Sequence, residues 1–175
     1  MEYIKIVDKN GNDTGEILEK EIAHDRNLLH NEISIYVINA KKEILLQKRS
    51  LNKRFNPGKW GACSGHVEAT ETLKEAALRE LNEELGLKVD EKKLISFFQR
   101  EIVIKEKNSH ITYFYCIYSN LSEQYYKIQP EELSEVKYFS IDTVIKHIKE
   151  NSNKFTFDDN RIKLLEEVRK IDFAI

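Results

Sequence analysis

Three glutamates in one short segment of this sequence are the strongest candidates for chemistry. Glu80, Glu83 and Glu84 follow a loop that begins at Gly65, and they precede a second glycine, Gly86. The capping residues and leucines between the two glycines predict a helix of about four turns. Residues three and four apart share one face of a helix, so the three carboxylates are predicted to lie on one side.

A helical projection places part of this acidic cluster beside the core. With Glu80 at 0° and about 100° per residue, Glu84 falls near +40° and Glu83 near −60°. An apolar stripe runs from about +20° to about +160° on the same helix. It is formed by Leu73, Ala77, Leu78, Leu81 and Leu85. Carboxylates beside a core lose hydration and repel one another, so a positive charge must compensate. Mg2+ or Mn2+ is expected there, because both prefer oxygen ligands.

The segment resembles the Nudix box, written G-x5-E-x7-R-E-U-x-E-E-x-G-U with U aliphatic. Every defined position is filled, by Gly65, Glu71, Arg79, Glu80, Leu81, Glu83, Glu84, Gly86 and Leu87. Seven of these positions demand one residue type, so a chance match is on the order of one in 10^8 per starting point. The resemblance implies a single Nudix domain over residues 1–175, with the box at 65–87 as loop, helix and loop.

The resemblance also implies roles for the box residues. The Gly65 carbonyl and the carboxylates of Glu80, Glu83 and Glu84 are expected to bind Mg2+ or Mn2+. Arg79 is expected to hold box carboxylates by ion pairs, and Glu80 or Glu83 to accept a proton. The implied reaction is hydrolysis of a diphosphate joined to a second group, X. The cation neutralises phosphate oxygens and acidifies a bound water in such a reaction.

A second resemblance lies upstream of the box. His24, His30 and the order Cys63-Ser64-Gly65-His66 are similar to the Nudix branch that contains type 1 isopentenyl-diphosphate isomerase. The histidines of that enzyme bind metal, and its cysteine transfers protons. His24 and His30 are therefore candidate ligands of a second metal ion, the alternative being ordinary loop histidines.

The same branch places a basic group after the second hairpin, where it holds the diphosphate. Arg49, Lys53 and Arg54 match that group, and together with His66 they are the predicted substrate-binding residues. The alternative for the three basic side chains is a solvated face.

The chain departs from the isomerase pattern in three places. Ser64 directly precedes Gly65, and a shift of one place in a strand turns the cysteine to the other face. His24 and His30 are closer by one residue than in the isomerase. The strand near His110 has no pair of glutamates to complete the isomerase metal site, and His110 is predicted to be a surface residue. An intact box therefore favours a Mg2+-dependent hydrolase of a nucleoside diphosphate linked to X. An isomerase-like enzyme and a non-catalytic binding module are the alternatives.

The elements around the box predict an α+β or α/β fold, a mixed sheet between helices. Residues 1–22 predict an N-terminal β-hairpin with a polar connection after it. Further strands are predicted at 33–39, 44–49, 60–67, 111–118 and 136–140, and one long strand or two short ones at 94–105. Two helices are predicted within 141–172, at 142–150 and 157–170.

Composition narrows the function classes. The 175 residues suit one domain, and a formal net charge of −2 gives no basic excess for a nucleic-acid polymer. No apolar run approaches the roughly 20 residues of a membrane span, and the N-terminus lacks the apolar core of a signal peptide. Two cysteines are too few for a disulfide framework. We therefore expect a cytoplasmic monomer or homodimer whose partner is a small-molecule diphosphate, with no membrane association.

Overall fold

The computed structural model describes residues 1–98, 100–150 and 153–173. The first half contains a hairpin, the central strands and the box helix, and the second half completes the sheet and adds two helices. The strands are β1 (Tyr3–Val7), β2 (Asp13–Glu19), β3 (His30–Ile38), β4 (Glu43–Arg49), β5 (Trp60–Gly61), β6 (Cys63–His66), β7 (Ile95–Ser96), β8 (Glu101–Val103), β9 (His110–Tyr118) and β10 (Leu133–Ser140). The α-helices are α1 (Lys20–Asp25), α2 (Leu73–Leu85), α3 (Ile141–Lys149) and α4 (Asn160–Lys170).

Strand β3 organises the sheet. It pairs in parallel with β9 along its whole length, from His30 opposite His110 to Ile38 opposite Tyr118. It also pairs antiparallel with β6, β4 and β1. The sheet is therefore mixed, as the sequence predicts, and the N-terminal hairpin forms from β1 and β2.

Alternate residues of β3 face two separate cores. Ile33 and Ile35 pack with the apolar stripe of α2 on one face. Tyr36 and Ile38 pack with α3 and α4 on the other face. Helices cover both faces of the sheet, which confirms the predicted sandwich.

The box helix begins and ends where its capping residues predict. The Thr72 hydroxyl accepts a hydrogen bond from the Glu75 amide, and the Glu75 carboxylate accepts one from the Thr72 amide. Gly86 ends the helix with φ of 64°, a conformation that glycine adopts without strain. The helix therefore holds its glutamates in a defined rotation about its axis.

The segment 94–105 contains two short strands, β7 and β8, both paired with β9, which is one of the two predicted alternatives. Two boundaries differ from the sequence prediction. The polar connection after the hairpin contains α1, which carries His24. The last helix begins at Asn160 rather than near Phe157, because Phe157 packs against Tyr36. No helix among the described residues has the length and apolar character needed to cross a bilayer.

Candidate active site

A cavity of about 690 Å3 lies where α2, β6 and the loop after β4 meet. Its wall combines two chemically different groups, the box carboxylates on one side and a set of histidines on the other. Arg49 and Lys53 add positive charge to the same cavity. A volume of this size is typical of sites for small-molecule ligands.

Strand β6 separates the two groups, because successive side chains of a strand point to opposite faces. Gly65 faces α2 so closely that a Cβ atom built on it would lie 2.0 Å from Glu80 Oε1. Cys63 also faces α2 and belongs to the core beneath it. Ser64 and His66 face the other way and line the cavity. The predicted reversal of the cysteine is therefore confirmed, and the hydroxyl of Ser64 takes the cavity-facing position.

The box carboxylates are held at three different depths. Glu84 is 6% exposed and accepts a 2.6 Å hydrogen bond from the Gln47 side-chain amide. The Glu80 side chain is 12% exposed, and the Glu83 side chain is 46% exposed. Two of the carboxylates are therefore largely removed from water, while the third reaches it.

Burial makes this cluster unfavourable when it is fully ionised. Burial, and next the charge of Glu84, raises the pKa of Glu80 to about 8. Burial also raises the pKa of Glu84, although the hydrogen bond from Gln47 opposes it. The carboxylates thus have an excess of negative charge that a bound cation would compensate, and their oxygen donors fit Mg2+ or Mn2+.

Arg79 joins the box carboxylates and the loop into one network. Its Nε and Nη2 atoms donate to the two oxygens of Glu71, at 2.7 and 3.1 Å. Its Nη1 atom donates to Glu80 at 2.7 Å and to Glu83 at 3.1 Å, and Nη2 also donates to the His66 carbonyl at 2.9 Å. This geometry orients Glu80 and Glu83 and ties α2 to β6.

On the far side of β6, three histidines surround a common point. The Nε2 atoms of His24 and His66 are 3.1 Å apart. The ring of His30 lies 5.1 Å from the ring of His24 and 5.3 Å from that of His66. Neither His24 nor His30 is in a loop: His24 is in α1, and His30 begins β3. Both are buried, so the structure does not support their interpretation as loop histidines.

Glu32 and His110, which the sequence did not single out as ligands, lie beside these histidines. Glu32, two residues after His30 on β3, lies 3.3 Å from His66 Nε2 and 3.3 Å from His110 Nε2. The prediction of a surface position for His110 is wrong, since it is 5% exposed. His110 is the register partner of His30 on β9. The only sequence signal for the position of Glu32 is its alternation with His30, which puts both side chains on one face of β3.

The donors of this histidine centre, defined as His24, His30, Glu32, His66 and His110, fit a metal ion. Two overlapping triads, one of His24, His30 and His66 and one of His30, Glu32 and His110, each bring their ligand atoms within 4.8 Å of one another. His30 Nε2 is buried and has no hydrogen-bond partner among the described residues. Its Nδ1 atom is 2.9 Å from the Leu28 carbonyl, and that of His110 is 2.8 Å from the Asn108 carbonyl, which leaves both Nε2 atoms facing the centre.

Burial favours the neutral form of His24, His66 and His110, which is the form in which an imidazole binds a metal. Burial outweighs the attraction of Glu32 and lowers the pKa of His66 to about 4. Burial likewise lowers the pKa values of His24 and His110. Burial alone would raise the pKa of Glu32, but the neighbouring histidines, first His110, lower it below its usual range. The centre thus combines one carboxylate with imidazoles, and burial favours the neutral form of those of His24, His66 and His110.

The predicted phosphate-binding residues divide into two sets. Arg49 and Lys53 line the cavity, where Lys53 pairs with Glu132 and Arg49 Nε donates to the Phe55 carbonyl. Arg54 is not brought to the cavity: it is exposed and pairs with Glu21. Its side chain stacks on Phe55, with 5.2 Å between the guanidinium carbon and the ring centroid.

A family model described as NUDIX domain matches residues 28–160, which includes the box and most of the cavity wall. The chain belongs to the NUDIX family. A curated relative, the isopentenyl-diphosphate Delta-isomerase of Pectobacterium atrosepticum, is 29% identical over 87% of this chain and 84% of its own length.

Solved structures of NUDIX proteins share the fold. DR0079 from Deinococcus radiodurans has a TM-score of 0.70 at 18% identity, covering 94% of this chain and 98% of that one. The MutT protein from Methanosarcina mazei Go1 has a TM-score of 0.65 at 23% identity, covering 80% of this chain and 92% of that one. At these identities the likeness concerns the fold, and the chemistry must be argued from the site.

Proposed function

We propose that this NUDIX protein is a Mg2+- or Mn2+-dependent hydrolase that cleaves the diphosphate linkage of a nucleoside diphosphate joined to a group X. The observation that carries the proposal is the pair of nearly buried carboxylates, Glu80 and Glu84, beside Gly65 in a cavity that also holds Arg49 and Lys53. Buried acidic charge next to basic side chains suits a cation bound together with a phosphorylated ligand.

Different residues would bind the cation, bind the diphosphate and accept the proton. The carboxylates of Glu80, Glu83 and Glu84 and the Gly65 carbonyl would hold the cation, which when bound neutralises phosphate oxygens and acidifies water. Arg49 and Lys53 would bind and orient the diphosphate. Glu83 would accept the proton of the attacking water, because it reaches solvent while Glu84 is buried and Glu80 is nearly so. Arg79 would keep Glu80 and Glu83 in place through the contacts described above.

We also propose a second metal ion at the histidine centre. Four imidazoles and one carboxylate are a donor set that favours Zn2+, Fe2+ or Mn2+ over Mg2+. Metal analysis of the purified protein should show one equivalent of such a metal, and His30→Ala should remove it. An equal metal content in both proteins would reject this site.

An isomerase remains the second candidate function, because curated relatives carry that name and the histidine centre resembles its metal site. The orientation of the cysteine argues against it. Cys63 is 2% exposed, and burial, followed by the charges of Glu84 and Glu80, raises its pKa well above the usual range. A thiol in that position does not reach the cavity to exchange protons with a ligand.

A product assay tests the hydrolase against both alternatives. Nucleoside di- and triphosphates, nucleotide sugars, dinucleotide polyphosphates and prenyl diphosphates would be incubated with Mg2+, and the products separated and quantified by anion-exchange chromatography. Cleavage of one class into two phosphate-containing products, reduced at least 100-fold by Glu84→Gln, is expected. Interconversion of isopentenyl and dimethylallyl diphosphate would instead establish the isomerase. Tight binding without cleavage would establish a binding module.

A further inference from the structure

One face of the central strands forms the floor of the cavity beyond the histidine centre. Ser34 on β3 is the register partner of Ser64 on β6, and Glu32 on β3 is the register partner of Thr112 on β9. Because side chains two apart on a strand share a face, the three hydroxyl groups lie on one face of the sheet, with Ser34 beside Ser64 and Thr112 beside Glu32. All three residues line the cavity.

Thr112 has an unsatisfied polar atom in this floor. The residue is 3% exposed, and its Oγ1 atom has no hydrogen-bond partner among the described residues. Buried hydroxyl groups in folded proteins are nearly always hydrogen-bonded, to protein, water or ligand. The orphan therefore indicates a partner that arrives through the cavity.

Arg161 supplies a charged donor to the same part of the cavity. It comes from the first turn of α4, and its guanidinium carbon lies 4.9 Å from the centroid of the Phe114 ring. Its Nη1 atom pairs with Glu101. Stacking and ion pairing hold the guanidinium in one orientation, and the side chain lines the cavity although it is only 19% exposed.

We propose that Ser34, Ser64, Thr112 and Arg161 form a hydroxyl subsite that binds X, and that X is an oxygen-rich group of the sugar class rather than a hydrocarbon. The proposal rests on the proposed function for the position of the diphosphate, but it concerns only the group attached to it. A hydrocarbon placed here would strip water from three hydroxyls and a guanidinium without replacing any hydrogen bond. A sugar offers hydroxyl groups that both donate and accept.

The test uses two ligands of equal carbon number, so that size does not decide the result. They are the methylenebisphosphonate analogues of ribose 5-diphosphate and of dimethylallyl diphosphate, in which carbon replaces the bridging oxygen and blocks cleavage between the phosphorus atoms. Binding would be measured by titration calorimetry with Mg2+ present. We expect the ribose analogue to bind at least tenfold more tightly. Equal or tighter binding of the dimethylallyl analogue would overturn the proposal.

Variants of Thr112 make the test specific for the subsite. Thr112→Val keeps the shape and removes the hydroxyl, so it should weaken the ribose analogue about tenfold and leave the dimethylallyl analogue within twofold. Thr112→Ser should restore ribose binding to within threefold, which excludes misfolding as the cause. Thr14→Val, on the exposed strand β2, is the matched control and should change neither affinity.

The outcomes separate the subsite from the hydrolase proposal. Equal weakening of both analogues by Thr112→Val, or no weakening, would reject the subsite whatever the enzyme hydrolyses. The expected binding pattern without cleavage of any compound would reject the hydrolase and keep the subsite.

Discussion

The metal-free protein should lose stability as the pH rises from 6.5 to 8, because of Glu80. The folded-state pKa of this carboxyl is about 8, while its ordinary value is 4.5. The folded protein therefore holds a proton that the unfolded chain releases, and stability falls as pH rises between these two values. The opposite shift of His66, from 6.5 to about 4, acts below pH 6.5 and does not disturb this window.

The size of the effect follows from the two pKa values. One pKa unit corresponds to about 1.4 kcal/mol, and between pH 6.5 and pH 8 the folded carboxyl loses about half of its proton. Integration gives a decrease of about 1.6 kcal/mol in the free energy of unfolding. The raised pKa of Glu84 acts in the same direction. Saturating Mg2+ should abolish the decrease, because the cation replaces the proton as the compensating charge.

Urea unfolding at pH 6.5 and pH 8 measures this directly, once in a metal chelator and once with Mg2+. Glu80→Gln is the control, since the amide carries no titrating proton and should remove most of the pH dependence. A free energy of unfolding that is the same at both pH values in the chelator would refute the argument that Glu80 is strained by burial and by Glu84.

Three further substitutions test individual contacts of the site. Gly65→Ala should reduce the rate of Mg2+-dependent substrate cleavage at least 100-fold while circular dichroism stays unchanged, because the new Cβ displaces Glu80; wild-type activity would refute this. Gln47→Leu removes the hydrogen bond to Glu84, worth about 1.5–3 kcal/mol for a charged acceptor, so the Mg2+ concentration for half-maximal rate should rise at least tenfold. An unchanged Mg2+ requirement would show that Gln47 does not position the ligand. Arg79→Lys should lower kcat by 10-fold or more with a smaller change in KM, since lysine cannot bridge several carboxylates; loss confined to KM would contradict its positioning role.

The box helix could be predicted from the sequence because its determinants are local. Thr72, Glu75 and Gly86 set its ends, and the period of its leucines sets which side faces the sheet. The burial of Glu84 followed from the same helical period, which places it within the apolar stripe. The orientation of Cys63 followed from the alternation of a strand and needed no knowledge of the rest of the fold.

The histidine centre could not be completed from the sequence, because it depends on strand pairing over a long separation. His110 meets His30 only through the parallel register of β3 and β9. The alternation of His30 and Glu32 puts both on one side of β3, but nothing local shows that β9 brings His110 beside them. The lack of a hydrogen-bond partner for the Thr112 hydroxyl could not be predicted either, because it depends on which residues pack around it in the folded chain.

Product analysis in water enriched with oxygen-18 tests the central claim most directly. A substrate from the active class would be incubated with Mg2+ in labelled water, and the phosphate products examined by mass spectrometry. Hydrolysis at the box predicts one labelled oxygen in one phosphate product per turnover, with the rate lost in Glu84→Gln. Unlabelled products, or a labelling rate that Glu84→Gln leaves unchanged, would contradict the assignment of this site as a metal-dependent diphosphate hydrolase.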